Sequence, residues 1–232
     1  MRNLEESLKG LNEHYLEMLK NLNRMLDVNI EMVEEGSNIS SLYGECLVIE
    51  DIINAFEVNL KENSIIAIAR FQPAAKNLRE LVMLIDGGRL VERMGDILKK
   101  NIKILKEINE ESPELAKILN KRLLSYIKQI KDVYEVYISS FINGQESLLY
   151  ELIVSDEKIN QEANRIILEM EECMKEDDEK IHHLVKGIIL TKKYERFADH
   201  IIHLVVDLVY ILKGENLRKK ELLENEVFDV SR

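Results

Sequence analysis

Apolar residues recur at Leu4, Leu8, Leu11, Tyr15, Met18, Leu22 and Met25, in alternating steps of four and three. That spacing is the seam of a long bundle helix, because it holds one apolar stripe against a partner for about six turns. The stripe can run on because little interrupts it. Two prolines and nine glycines in 232 residues are too few for a strand-rich fold, which needs a turn signal every ten or so positions. Few, long helices follow. Apolar residues are 46% of the chain and charged residues 32%, enough to fill a sizeable core and to coat it.

The breakers that do occur mark helix ends. Gly36 fits a left-handed cap, and Ser37, Asn38 and Ser40 offer N-caps for a second helix running from about Ile39 to the late sixties. Pro73 predicts the start of a third helix, which continues through Leu81, Leu84, Val91, Met94 and Leu98 to about Ile108. Gly87-Gly88 lies inside it at a cost of about 1 kcal/mol per glycine relative to alanine, so a local irregularity or close packing is expected there. Ser112 and Pro113 fit the cap and first turn of a fourth helix, which ends at Gly144. A fifth follows from about Gln145 to the early 170s. The acidic run Glu176-Asp177-Asp178-Glu179 suits the positive end of a sixth helix, closed by Gly214. The expected fold is all-α: two tandem antiparallel three-helix bundles, residues 1–110 and 111–214, related by an internal pseudo-two-fold duplication. A charged tail covers 215–232.

The formal net charge of −11 excludes nucleic acid as an expected partner, since phosphate binding needs concentrated Lys and Arg. Cations or a basic protein surface suit such a chain better. Cys46 and Cys173 stand alone, which fits core or near-surface thiols in a reducing compartment and no disulfide framework. The opening MRNLEESLKG lacks an apolar signal region. The most apolar late stretch, Ile201 to Leu212, is interrupted by His203 and Asp207 and falls short of the ~20 residues of a membrane span. A soluble, cytoplasmic protein without direct membrane insertion is expected. Neither a phosphate-binding G-x-x-x-x-G-K-[ST] loop nor a G-x-S-x-G elbow is present, so no enzyme is expected. Glu179 and His182 form an E-x-x-H, but di-iron bundles need two of these. The aromatic residues, mostly tyrosines, fit core and interface.

Two segments can be superposed. Leu90-Val91-Glu92-Arg93-Met94-Gly95-Asp96 matches Lys193-Tyr194-Glu195-Arg196-Phe197-Ala198-Asp199, and Ile49-Glu50-Asp51-Ile52-Ile53-Asn54 matches Ser155-Asp156-Glu157-Lys158-Ile159-Asn160. An acid-x-x-x-acid pair alone means little, because about eight arise by chance in so acidic a chain. A five-residue Glu-Arg-apolar-small-Asp pattern at the same place in both halves means duplication. Residues four apart share a helix face, so Glu92 with Asp96 and Glu195 with Asp199 each present two carboxylates side by side. Glu50 with Asn54 and Asp156 with Asn160 repeat the spacing upstream. If these faces meet, each half holds a ring of oxygen donors suited to hard or borderline cations. The alternative is a solvated, salt-bridged face in which Arg93 and Arg196 partner the carboxylates.

At these residues the chain resembles the PhoU family. YERFADHIIHLVVDLVYILKGE is similar to that family's sixth-helix pattern, E-R-x-A-D-H followed by an apolar run and G-E. FQPAAKNLRELVMLIDGGRLVERMGD resembles the stretch in which Q-P-x-A and L-R precede E-R-x-G-D. The resemblance spans nearly the whole chain. It implies two three-helix bundles and a non-enzymatic adaptor that links a phosphate ABC transporter ATPase to a sensor histidine kinase. That adaptor restrains uptake and the phosphate-starvation response, and a homodimer is compatible with it. It also implies multinuclear iron or zinc, carboxylate-bound, with Glu50, Glu92 and Asp96 as ligands in the first unit and Asp156, Glu195 and Asp199 in the second. The chain departs from the family at Asn54 and Asn160, where Asp is common and an amide oxygen brings no charge. One turn past the motif Asp, Lys100 opposes a cation, whereas His203 can join Asp199 as an i,i+4 ligand pair. The second unit is therefore favoured as a metal site. A metal-binding bundle with storage or redox chemistry is the alternative function, and an interaction bundle without metal is a third.

Overall fold

The computed structural model describes residues 2–34, 36–176, 180–214 and 217. They form six helices: α1 (Arg2–Val33), α2 (Ile39–Phe71), α3 (Ala75–Glu111), α4 (Pro113–Asn143), α5 (Glu146–Glu176) and α6 (Ile181–Lys213). No strand occurs among the described residues. Of the acidic run 176–179 assigned to the opening of α6, Glu176 is instead the last residue of α5, and 177–179, which include Glu179 of the E-x-x-H, lie outside the described residues, as does all of the tail but Leu217. No helix among the described residues is long and apolar enough to cross a membrane.

The helix ends follow their local chemistry. Asn38 caps α2, its side-chain oxygen accepting from the Ser41 N–H at 3.2 Å. Gly144 and Gly214 end α4 and α6 in the left-handed conformation, φ 65° and 77°. Ser112 departs from expectation: its side chain makes no capping bond. Its backbone does the work instead, the N–H closing α3 on Ile108 and the carbonyl accepting from Ala116. One residue therefore separates two long helices.

Helices α1, α2 and α3 pack on one another, and so do α4, α5 and α6. Between the two sets, α3 lies along α6 and α1 along α4, so α1 faces both its own bundle and the other half. Tyr15, Met18, Leu19, Leu22, Met25 and Leu26 are all fully buried. Their apolar area is removed from water at about 25 cal/mol per Å². Tyrosine hydroxyls tie the halves together. Tyr15 and Tyr137 meet at 3.1 Å, Tyr134 donates to the Leu19 carbonyl at 3.0 Å, and Tyr194 donates to Asn29 Oδ1 at 2.9 Å. Each is a buried polar tip satisfied from the opposite half, as a phenol in a core requires. The two cysteines are free, Cys46 in the core and Cys173 half-buried.

α3 continues through Gly87-Gly88 without interruption. The glycines are there for close approach: a Cβ on Gly87 would lie 2.8 Å from the Tyr15 hydroxyl, and one on Gly88 2.9 Å from Leu60 Cδ2. Gly10 of α1 has nothing within 4 Å of such a Cβ. Gly10→Ala is expected to stabilise the protein by up to about 1 kcal/mol through helix propensity. Gly87→Ala gains the same propensity but overpacks a filled core, at a cost of about 1–3 kcal/mol, and is expected to melt below wild type. In a Tyr15→Phe background that penalty should shrink, because the first atom struck is gone. Thermal melts of the four variants check this; equal effects at Gly10 and Gly87 would contradict it.

Candidate functional site

The duplicated motifs come together in two clusters, one per half. In the first, α2 supplies Glu50 and Asn54 and α3 supplies Glu92 and Asp96. Glu50 is only 5% exposed. It accepts from Asn54 Nδ2 at 3.0 Å and from Lys99 Nζ at 2.8 Å. Asp96 is paired with Lys100 Nζ at 2.6 Å. Partial burial raises the Glu92 carboxyl above its ordinary range, and the charges of Asp96, Glu57 and Glu50 raise it further against Arg93. Four carboxylates thus feel one another here, with two lysines as counter-charge.

The second cluster has less of that compensation, a single lysine on Glu195. Asp156 of α5 accepts from Asn160 Nδ2 at 3.2 Å, and Glu195 of α6 is paired with Lys192 at 2.7 Å. Burial raises Asp156 first, with Glu195 adding and His203 opposing. Burial likewise raises Asp199, with Asp156 and Glu195 adding and His203 and Lys192 opposing. Asp156 Oδ1 and Asn160 Oδ1 are buried without a hydrogen-bond partner, and so is the hydroxyl of Tyr126. Burial is the largest cause of the raised Tyr126 phenol, followed by the charges of Glu195, Asp199, Glu162 and Asp156, so α4 sets a phenol beside this cluster. In the first cluster the corresponding orphan is Asn54 Oδ1.

Three features were not read from the sequence. Arg93 and Arg196 are not the carboxylates' partners; among the described residues the ion pairs are made by Lys99, Lys100 and Lys192. Both arginines lie near the α3–α6 contact, where with His203 they oppose the charging of His200. Burial first, then these positive neighbours, push His200 down to about 4. Lys99 and Glu57 extend the first cluster, and spacing could have found them: each lies seven residues beyond a motif acid, Glu92 or Glu50, on the same helix face.

The donors are oxygen-rich and partly unsatisfied, which suits a hard or borderline cation. Among the described residues, however, no three His, Cys, Asp or Glu side chains stand close enough together to hold one. The clusters are therefore arranged as i,i+4 carboxylate–amide pairs whose oxygens would have to turn inward to share an ion.

Fold and clusters define a class: an all-α duplicated bundle with a Glu-Arg-apolar-small-Asp motif on the third helix of each copy. The family model described as the PhoU domain matches residues 15–120. A phosphate-specific transport system accessory protein PhoU homolog from Pseudomonas aeruginosa is 24% identical over 192 residues, covering 80% of this chain and 78% of its own. The homolog 1 of Thermotoga maritima is 23% identical over 217 residues, 93% of this chain and 91% of its own. The crystal structure of PhoU from Pseudomonas aeruginosa superposes with a TM-score of 0.83 at 21% identity, over 91% of this chain and 99% of that one. The chain is thus similar to PhoU proteins in sequence, with the PhoU-domain match at residues 15–120, and shares their fold.

The raised carboxyls have a pH consequence. Between the ordinary carboxylate value and the folded one, the folded state binds protons that the unfolded chain releases. Stability therefore falls as pH rises through that window, and the penalty is complete above it. In metal-free protein, Asp199→Asn is expected to raise Tm near neutral pH, by about 2–4 °C per kcal/mol relieved in a chain of this size. The gain should vanish as pH falls below about 4. Melts across that range check it; an Asp199→Asn protein that melts lower than wild type at neutral pH would contradict the reading.

Proposed function

We propose that the protein is a regulatory adaptor of phosphate uptake. It acts in the cytoplasm through protein contacts and not through turnover, restraining a phosphate ABC transporter and the phosphate-starvation response. The observation that carries this reading is the duplicated motif pair set in a PhoU fold along nearly the whole chain, in line with relatives named as accessory proteins of phosphate-specific transport. The partners in this reading are the transporter's ATPase and the cytosolic region of a sensor histidine kinase.

A bound cation belongs to the second cluster in this account. Iron or zinc there would be held by Asp156, Asn160 and Asp199, with Glu195 and His203 as further donors, and would supply positive charge beside Asp156 and Asp199, which form no ion pair with a described residue. The unsatisfied Asp156 and Asn160 oxygens and the raised carboxyls support that choice. Lys99 and Lys100 already occupy Glu50 and Asp96 of the first. The chain's own residues do the positioning: the Asn160 amide orients Asp156, and Lys192 holds Glu195.

The test is co-purification. Tagged protein from phosphate-rich cells, with membranes solubilised, should retain the transporter ATPase or the sensor kinase, and retain less from starved cells. Recovery of neither partner under either condition would defeat the adaptor reading.

A further inference from the structure

Internal duplication should give two equivalent faces where α3 and α6 run side by side, one at each end of their contact, and the two ends differ. At one end the face is closed by the chain's own ion pairs. Lys186 of α6 reaches Glu111 at 2.8 Å and Glu107 at 3.5 Å on α3, and His183 lies 3.3 Å from Glu111. At the other end a groove of about 650 Å³ stays open between the N-terminal half of α3 and the C-terminal half of α6. Shifting by the 103 positions that relate Arg93 to Arg196, the place of Lys186 is taken here by Met83, and those of Glu107 and Glu111 by Tyr210 and Gly214. The latch residues are missing from this copy.

What lines the open end is both apolar and basic. Leu78, Val82 and Tyr210 are exposed in it, while Arg79, Arg89 and Arg93 stand along it with His203. None of the three arginines forms an ion pair with a described residue, and the Nε of Arg79 is buried without a hydrogen-bond partner. The Arg79 guanidinium lies 5.6 Å from the centre of the Tyr210 ring, held by a cation–π contact. Asp86 and Asp207 also reach the groove, so basic groups outnumber acids there on a chain whose net charge is −11.

We infer that this groove is the docking site for an acidic amphipathic helix of a protein partner. From Leu78 to Arg93 it runs about 22 Å along α3, the length of four helical turns. Two antiparallel helices leave between them the kind of seam into which a third helix lays its apolar face. Arg89 and Arg93 lie one turn apart, but Arg79 is ten residues, about 15 Å, away. A single small oxyanion could engage one end only and would leave the apolar floor wet. A helix with Leu-type residues at steps of three and four, flanked by Asp or Glu, satisfies the floor and the arginines together. The inference rests on the adaptor reading and names the face that does the adapting.

Photo-crosslinking tests it, because the duplication supplies a matched control. Val82 in the groove is 44% exposed, and Val185, its counterpart at the closed end, is 43% exposed. Benzoylphenylalanine at Val82 of the full chain, irradiated in cells, should capture one segment that carries this apolar-acidic pattern, whereas the same group at Val185 should not. That segment, made as a peptide, should bind the full chain in solution. Arg89→Glu with Arg93→Glu should weaken it about tenfold or more, and Lys117→Glu, far from the groove in sequence and on α4, should leave it unchanged. Crosslinks only to this chain's own residues, to a segment without acidic flanks, or to nothing would overturn the inference, as would displacement of the peptide by inorganic pyrophosphate. If the double arginine variant retains the co-purified partner at the wild-type level, the groove falls and the adaptor reading stands. If wild-type protein retains no partner at all, the adaptor reading falls first.

Discussion

The hydroxyls of Tyr15 and Tyr137 meet at 3.1 Å with no exposure to water, and much of the architecture follows from that contact. Tyr15 belongs to α1 and Tyr137 to α4, so the pair joins the corresponding helices of the two copies. Burying two phenols is costly unless each tip finds a partner, and here each tip is the other's partner. The same constraint explains Gly87, where any side chain would collide with the Tyr15 ring and hydroxyl. Tyr134 and Tyr194 repeat the device further along α1 by donating to Leu19 and Asn29. With the halves locked in this way, α3 lies along α6, and both copies of the motif arginine come to that contact.

Duplication then diverges in its electrostatics. Two clusters with the same backbone plan face the same problem, which is to hold several partly buried carboxylates near one another. The first recruits Lys99 and Lys100 from its own α3. In the second the aligned positions are Ile202 and His203, and among the described residues no lysine is paired with Asp156 or Asp199, Lys192 being paired with Glu195. Its carboxyls respond with raised proton affinity. The ends of the α3–α6 contact diverge in a parallel way: one is latched by Lys186 and its two glutamates, and the other is left with unlatched arginines. In both cases ion pairs that one copy makes within the chain have no counterpart among the described residues of the other.

Much of this was legible in the residues. The four-three spacing from Leu4 to Met25 identifies α1 as a bundle helix, and Asn38, Gly144 and Gly214 mark ends where the chain does turn. The Glu-Arg-apolar-small-Asp repeat locates both clusters, and Lys100, set against His203 in the sequence, is paired with Asp96 in the first. Spacing fails wherever the answer depends on a second helix. It places Arg93 beside Glu92, but Arg93 turns toward α6 and the nearby lysines take the acids. It shows one buried stripe on α1, yet α1 also packs on α4 because Tyr134 and Tyr137 pull it there. The open groove was hidden for the same reason, since its walls lie more than a hundred residues apart and meet only through the register of α3 on α6.

The central proposal is that the two copies share a fold but differ in how they compensate charge, by paired lysines on Glu50 and Asp96 in the first and by a cation beside Asp156 and Asp199 in the second. Native mass spectrometry with elemental analysis, on protein purified without chelators, tests it most directly. The account predicts iron or zinc on the chain, kept when Glu92→Gln is combined with Asp96→Asn and lost when Asp156→Asn is combined with Asp199→Asn. Metal-free wild-type protein, or metal that follows the first cluster and ignores the second, would contradict it.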